Sequence, residues 1–597
     1  MRQVVEPSAV PTEEAPEPLW RITSEHLYLL GVIAAIGLAF GLRAAHIFHT
    51  AFPLNDGGLF YAMARDLQDA SFKLPEVTSY NSTSLPFTYS PLGLYVVALL
   101  DKVTPFSLMD LFRVLPLLYT TGTVAAFFLL AKRILPTRTA VIAATFAFAL
   151  VPRSFVWLLM GGGVTRALGL MLALLALHEV HRTFTTFRMR HALSAALLSG
   201  ATVLTHLETG WFLAFSIAIF FLAFGKERFS VTSAAVIGTG TVLVAAPWIV
   251  AVLAMHGSGP FLAANSSGGS VFSGGDITEY ALTSLARVIS TSEPYFPLIA
   301  VLGVVGLLSA VQRHLLVLPA WWGAIILLDV RAFPTFTTVP VALLAGMAVN
   351  DVVLPMLSRG RLSPDLLGVP QPGNGNGNGN GAAAAAANGA SSTNGADEGR
   401  PRGPIFVPFP GWAVIIVMAF LVVYALAGAT MRKPGLGGEG EYLTSLTQGQ
   451  RSVMHWIDER TPASSTFLVM PRGPWQVDRE SEWFPVLSHR ESVATVQGTE
   501  WAPNGAFDIA VDVFDRAWDC GYRDSQCLAT WVKTTGITFD YVYIPSNNDF
   551  QCCGTLVSSL RDDPDYLTVY DGPGGTIFHL VGSLSTPNSV KAAATGG

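Results

Sequence analysis

Pro53-Leu54-Asn55-Asp56-Gly57-Gly58-Leu59-Phe60-Tyr61 follows directly on an apolar run, Leu27 to Phe48, long enough to span a bilayer. A carboxylate thus stands at the exit of the first membrane-spanning segment. Two glycines beside it permit a close backbone approach. Behind them an amphipathic helix is expected over about Leu59 to Asp69, with Leu59, Met63 and Leu67 on one face. Asp56 has two readings: an N-cap for that helix, or a base for an attacking hydroxyl at the membrane surface.

The rest of the chain carries the membrane reading further. It has 597 residues, 51% of them hydrophobic and only 13% charged. Soluble domains carry about 25% charge, and lipid-facing helices avoid it because a buried charge is costly. A net charge of -6 suggests no nucleic-acid partner and no polybasic anchor. The first 25 residues are polar and Pro-rich, so the 1–26 tail is expected to be cytoplasmic and the first apolar run an uncleaved anchor.

Runs of spanning length recur at 27–48, 113–131, 138–156, 164–181, 191–207, 209–224, 231–254, 296–311, 314–330, 335–356 and 405–429, about eleven helices in all. Pro91 to Val103 is too short to join them and reads as an interfacial or re-entrant helix. With the N-terminus inside, Lys132, Arg133 and Arg138 fall in the cytoplasm. So do Arg182, Arg188 and Arg190, then Lys226 and Arg228, Arg313, and Arg359 and Arg361. This is what the positive-inside rule asks. The same count puts the loop 49–112, the Gly161-Gly162-Gly163 turn, the loop 255–295, Arg331 and everything after residue 430 outside.

The domains expected are therefore a membrane part over 27–357 with an outer loop 49–112, a cytoplasmic linker over 358–404, a last span over 405–430, and an extracytoplasmic domain over 431–597. The linker's Gly-Asn repeats and polyalanine cannot bury a core, so disorder is expected there. In the C-terminal domain Arg451 to Arg460 reads as a helix. Ser464 to Val469, Tyr541 to Ile544 and Thr576 to Leu580 read as strands, hence α/β. All four cysteines, Cys520, Cys527, Cys552 and Cys553, lie in this domain, as in an oxidising compartment. Three pairings are open.

Asn55-Asp56-Gly57-Gly58, then Met63-Ala64-Arg65-Asp66-Leu67, then Tyr89-Ser90-Pro91-Leu92-Gly93-Leu94-Tyr95 resembles the motif order of the GT-C glycosyltransferase superfamily. That superfamily includes protein O-mannosyltransferases, aminoarabinose transferases and oligosaccharyltransferases. The resemblance in motif order covers roughly the first 130 residues. It implies a polytopic α-helical membrane protein with a GT-C-like fold. The activity implied is transfer of a sugar from a polyprenyl-phosphate donor to a glycan, lipid or protein acceptor at the outer face of the cell membrane. It also implies that Asp56 serves the acceptor side, beside Asn55 and Tyr89.

Arg331-Ala332-Phe333-Pro334 is similar to a second family segment. Arg331 reads either as a snorkelling interfacial arginine or as a bidentate ligand of the donor phosphate, and the resemblance favours the phosphate. Arg166, behind Gly161-Gly162-Gly163, could add charge to an anion site at a helix start, although a plain tight turn is the simpler reading. His206 and Glu208 form either a capped helix end or a metal or acceptor site, one His and one Glu being few ligands for a metal. Glu293, in Thr291-Ser292-Glu293-Pro294, resembles a glutamate motif of oligosaccharyltransferases. Some superfamily members need a divalent metal, Mg or Mn, and others do not; no ligand set decides this.

The chain departs from the family at other points. Thr88-Tyr89 replaces a Glu-Lys pair, and Met470-Pro471-Arg472-Gly473-Pro474-Trp475 stands where oligosaccharyltransferases carry a Trp-Trp-Asp-Tyr-Gly motif. Asparagine-linked transfer is therefore disfavoured. Glu482-Trp483-Phe484-Pro485 and Gly498-Thr499-Glu500-Trp501 combine aromatic faces with acids, a pairing that suits either sugar binding or a packed core edge. The loop 255–295, rich in glycine and serine between Ser258 and Gly275, would be a flexible cover over the site. Competing functions are a lipid-linked glycan transporter and a non-catalytic glycan-binding protein of envelope assembly. Transport is disfavoured by the scarcity of charges within the spans.

Overall fold

The computed structural model describes residues 24–267, 296–328, 333–355, 443–546 and 552–582. The expected linker 358–404, the expected span 405–429, Glu293 and Arg331 lie outside the described residues, as does most of the proposed cover.

The apolar runs fold as helices: α1 (Ser24–Phe48), α2 (Gly58–Asp69), α3 (Leu92–Val103), α4 (Leu108–Ile134), α5 (Arg138–Leu150), α6 (Gly163–Thr186), α7 (Met189–Thr205), α8 (Leu207–Phe224), α9 (Arg228–His256), α10 (Gly259–Ser267), α11 (Phe296–Gln312), α12 (Val317–Leu328) and α13 (Thr338–Ala348). Among the described residues six helices are long and apolar enough to cross a membrane. They are α1, α4, α6, α8, α9 and the stretch Pro334–Val353 that contains α13. Arg138–Leu150, Leu298–Gln312 and Val317–Leu328 are apolar but shorter.

The expected run 138–156 is thereby corrected. Its α-helix ends after 13 residues at Leu150, about 20 Å of rise against a hydrocarbon core of about 30 Å. The cause is local: Val151 is extended and Pro152 opens a 3-10 turn. Arg43 of α1, wholly buried, secures this break. It donates to the Ala149 carbonyl at 3.1 Å and stacks over Phe155 at 4.2 Å. The freed helix end thus finds a donor that the broken ladder no longer supplies.

Between α1 and α4 the connecting segment packs as its own small core. Leu59, Met63 and Leu67 of α2 meet Leu94, Val97 and Ala98 of α3, with Tyr80 and Phe112 around them. The expected apolar face of α2 is the buried one. The helix Pro91 to Val103 is present, with only 12 residues.

The C-terminal part is a five-stranded sheet: β1 (Thr466–Val469), β2 (Glu491–Ser492), β3 (Tyr541–Pro545), β4 (Tyr566–Gly572) and β5 (Gly575–Leu580), in order β2-β1-β3-β5-β4. β2, β1 and β3 run parallel, and β5 is antiparallel to β3 and β4. Alternation sorts the side chains onto two faces. Phe467, Val469, Tyr541, Tyr543 and Ile577 pack with α14 (Gln448–Arg460) and α15 (Arg479–Ser488). Leu468, Val542, Ile544 and Phe578 pack with α16 (Ala506–Cys520), α17 (Ser525–Thr535) and α18 (Gly554–Asp562). The cysteine pairing left open by sequence is Cys520–Cys527 and Cys552–Cys553.

Candidate active site

The loop behind α1 is held by the C-terminal part. Leu54 bridges Ser445, and the Asn55 N–H donates to the Thr444 carbonyl at 2.7 Å. The Trp483 indole N–H donates to the Asn55 carbonyl at 2.8 Å. Gly57, at φ 123°, donates its N–H to Glu482 Oε1 at 2.8 Å. A Cβ on Gly58 would stand 2.5 Å from the Glu482 carbonyl. The two glycines therefore do admit a close backbone approach, and what approaches is helix α15.

Asp56 is buried and does not cap α2. The N-cap is Gly57, with no side-chain hydrogen bond. The carboxylate turns the other way: Oδ1 accepts from the Gly162 N–H at 2.8 Å and Oδ2 from Arg166 Nη2 at 2.6 Å. The Gly161-Gly162-Gly163 segment presents its N–H to an anion, and the anion in the structure is the chain's own carboxylate. Side chains are excluded there, because a Cβ on Gly161 would run into the Asp56 carbonyl and one on Gly162 would lie 2.9 Å from Arg166 Nη2. Arg166 is fixed from its other side by the face of Trp157, 4.3 Å away.

Asp56 and Arg166 lie in the wall of a cavity of about 600 Å3. Its lining joins the membrane part to the C-terminal part. Tyr89, His206, Glu208 and Trp211 come from the former, and Glu482, Gln497, Glu500 and Trp501 from the latter. Tyr89 stands between Phe60 and Trp501, at 4.7 and 5.7 Å between ring centres. His206 caps α8, where its Nδ1 accepts from the Thr209 N–H, and still faces the cavity. Asn55 is buried behind the wall, its amide against the Met160 sulfur.

Glu482 of α15 and Asp478, which caps that helix, hold their protons tightly. Burial first, then the charge of Asp56, pushes the Glu482 carboxyl up to about 8. Burial and Glu480 push Asp478 up to about 7. Of the carboxyl groups that line the cavity, Asp56 is paired with a guanidinium, while Glu482 beside it accepts from a backbone N–H.

A divalent metal does not fit this donor set. Both oxygens of Asp56 are engaged, one of them by a cation, and among the described residues no three His, Cys, Asp or Glu side chains are grouped to hold a metal ion.

Five of the sequence-derived residues meet at the cavity: Asp56, Arg166, Tyr89, His206 and Glu208. Sequence reasoning quoted Glu482, Glu500 and Trp501 only as an acidic aromatic stretch. Trp157, Trp211 and Gln497 had no signal, since isolated Trp and Gln are ordinary at interfaces and in cores.

No family model matches the chain, and no curated protein matches it in sequence. Solved structures similar to it include the archaeal oligosaccharyltransferase AglB from Archaeoglobus fulgidus, in complex with an inhibitory peptide and a dolichol-phosphate, at 13% identity and TM-score 0.49, covering 87% of this chain and 69% of that one. ArnT from Cupriavidus metallidurans bound to undecaprenyl phosphate is similar at 13% identity and TM-score 0.49, covering 95% of this chain and all of that one. The arabinofuranosyltransferase AftD from Mycobacteria is similar at 15% identity and TM-score 0.47, covering 93% of this chain and 42% of that one.

Proposed function

We propose that this chain is an inverting membrane glycosyltransferase of the GT-C kind, moving a sugar from a polyprenyl-phosphate donor to an acceptor on the outer face of the membrane. One observation carries the reading. The acid of the first outer loop, singled out by motif order, is buried in the wall of a cavity that also presents tryptophans, acids and amides. Those groups are suited to stacking on a sugar and bonding its hydroxyls.

In this reading Asp56 orients the acceptor side. Arg166, with Arg331, neutralises the phosphate that leaves, as a guanidinium does well. The apolar floor, with Leu207, Ala214 and Leu328, suits the lipid end of the donor. The C-terminal roof would cover the sugar.

The experiment is transfer of radiolabelled sugar from polyprenyl-phosphate donors by purified protein in lipid, wild type beside Asp56→Asn. Transfer that the substitution lowers severely, with folding intact, supports the reading. Absence of transfer from every donor refutes it, and so does full activity of Asp56→Asn.

A further inference from the structure

We propose that Glu482, carried by the C-terminal domain, is the group that takes the acceptor's proton, while Asp56 is the fixed anion beside it. The inference rests on the transferase reading and assigns a residue within the same site.

The geometry separates the two carboxyl groups. Asp56 is saturated: one oxygen accepts a backbone N–H and the other a guanidinium at 2.6 Å. Each of its oxygens already has a donor, one of them a cation, so Asp56 is placed as a fixed anion and not toward an incoming hydroxyl. Glu482 lines the same cavity, and its hydrogen bonds come from uncharged backbone N–H groups, Gly57 at 2.8 Å and Leu59. It is held in place without being neutralised. Its helix is pinned on both sides, by the Trp483 indole on Asn55 and by the Tyr80 hydroxyl on the Glu482 carbonyl.

The charged and titratable groups facing Glu482 are Asp56 from the outer loop, Arg166 from α6 and Tyr80. His206 and Glu208 of α8 and Glu500 share the cavity, while Asp478, Arg479 and Glu480 belong to its own helix segment. Burial and the Asp56 charge bring its carboxyl to about 8, near the pH at which a base must both lose and gain a proton. Two neighbouring acids with such different partners, a guanidinium for Asp56 and a backbone N–H for Glu482, divide the roles.

The step balances. The acceptor's O–H proton passes to the Glu482 carboxylate as that oxygen bonds the sugar's anomeric carbon. The bond from that carbon to the phosphate oxygen breaks, and its electron pair leaves with the polyprenyl phosphate. Glu482 then gives its proton to solvent.

The test is transfer against pH for the full-length protein in lipid. Wild type, Glu482→Gln, Glu482→Ala with and without added formate, and Asp56→Asn are compared. Wild-type turnover is expected to rise with pH through about 8. Glu482→Gln, which keeps the acceptor for Gly57, should lose about 10²- to 10⁴-fold in kcat together with that limb. Formate should restore part of the activity of Glu482→Ala. In Asp56→Asn the limb of the residual activity should move to lower pH, because a neighbouring negative charge is gone. An active wild type whose pH limb survives Glu482→Gln overturns the assignment and leaves the transferase reading intact. So does a Glu482→Ala that folds and ignores formate. A wild type inert with every donor overturns both.

Discussion

Arg166 Nη2 stands 2.6 Å from Asp56 Oδ2, closing a buried ion pair between residues 110 apart in sequence. Removing one partner of such a pair strands the other charge and costs about 3–5 kcal/mol. Arg166→Met should therefore lower thermal stability and abolish transfer. The double variant Arg166→Met/Asp56→Asn should recover much of the stability and none of the activity. Equal losses that simply add in the double variant, measured by thermal unfolding in lipid, would show that the two residues are not coupled.

Gly58 offers a steric test. A methyl there would press on the Glu482 carbonyl, which is backbone and cannot swing aside. Gly58→Ala should lift α15 from the outer loop, with an overpacking cost of about 1–3 kcal/mol. Activity should fall while helix content stays, and limited proteolysis near residue 482 should quicken. Unchanged proteolysis together with unchanged activity would mean that the contact is not needed.

Stability should depend on pH in a stated direction. Glu482 titrates near 8 when folded and near 4.5 when free. Its contribution is complete below about 4.5 and is lost as pH rises through 8; Asp478, at about 7, acts in the same sense. The unfolding temperature should fall between pH 5 and 8.5 by several degrees, and less in Glu482→Gln, which cannot ionise. A variant that tracks wild type across this range would remove Glu482 as the source.

The roof aromatics should act on binding more than on chemistry. Trp501→Ala removes a ring that faces the cavity beside Tyr89 and Phe261. About 1 kcal/mol of stacking corresponds to roughly a fivefold rise in the acceptor KM, with kcat changed less. A kcat effect without a KM effect would place Trp501 in the chemistry. Chelators should leave transfer unchanged, because Arg166 already supplies the positive charge at Asp56.

Much of the membrane part was legible in sequence, because hydrocarbon imposes length and apolarity on each helix. Leu27 to Phe48 and the i, i+4 face of Leu59, Met63 and Leu67 follow from that constraint. The run 138–156 misled because a proline two residues past Leu150 ends a helix without interrupting hydropathy. Asp56 stands out in sequence by its place and its glycines, but what those glycines admit does not, since a glycine records only that something comes close. Glu482 was visible as one acid in an aromatic stretch. Its placement beside Asp56 depends on a tertiary contact that no local pattern encodes. The cysteine pairing was open for the same reason, as four cysteines fix a number of pairings and not the choice among them.

The hydrogen bond from Gly57 to Glu482 joins residues 425 positions apart. A ribosome making this chain has completed the first helix and the whole outer loop long before the glutamate is polymerised. The wall of the cavity that these two residues share can therefore close only after residue 482 has been made, and a product truncated before it lacks that wall.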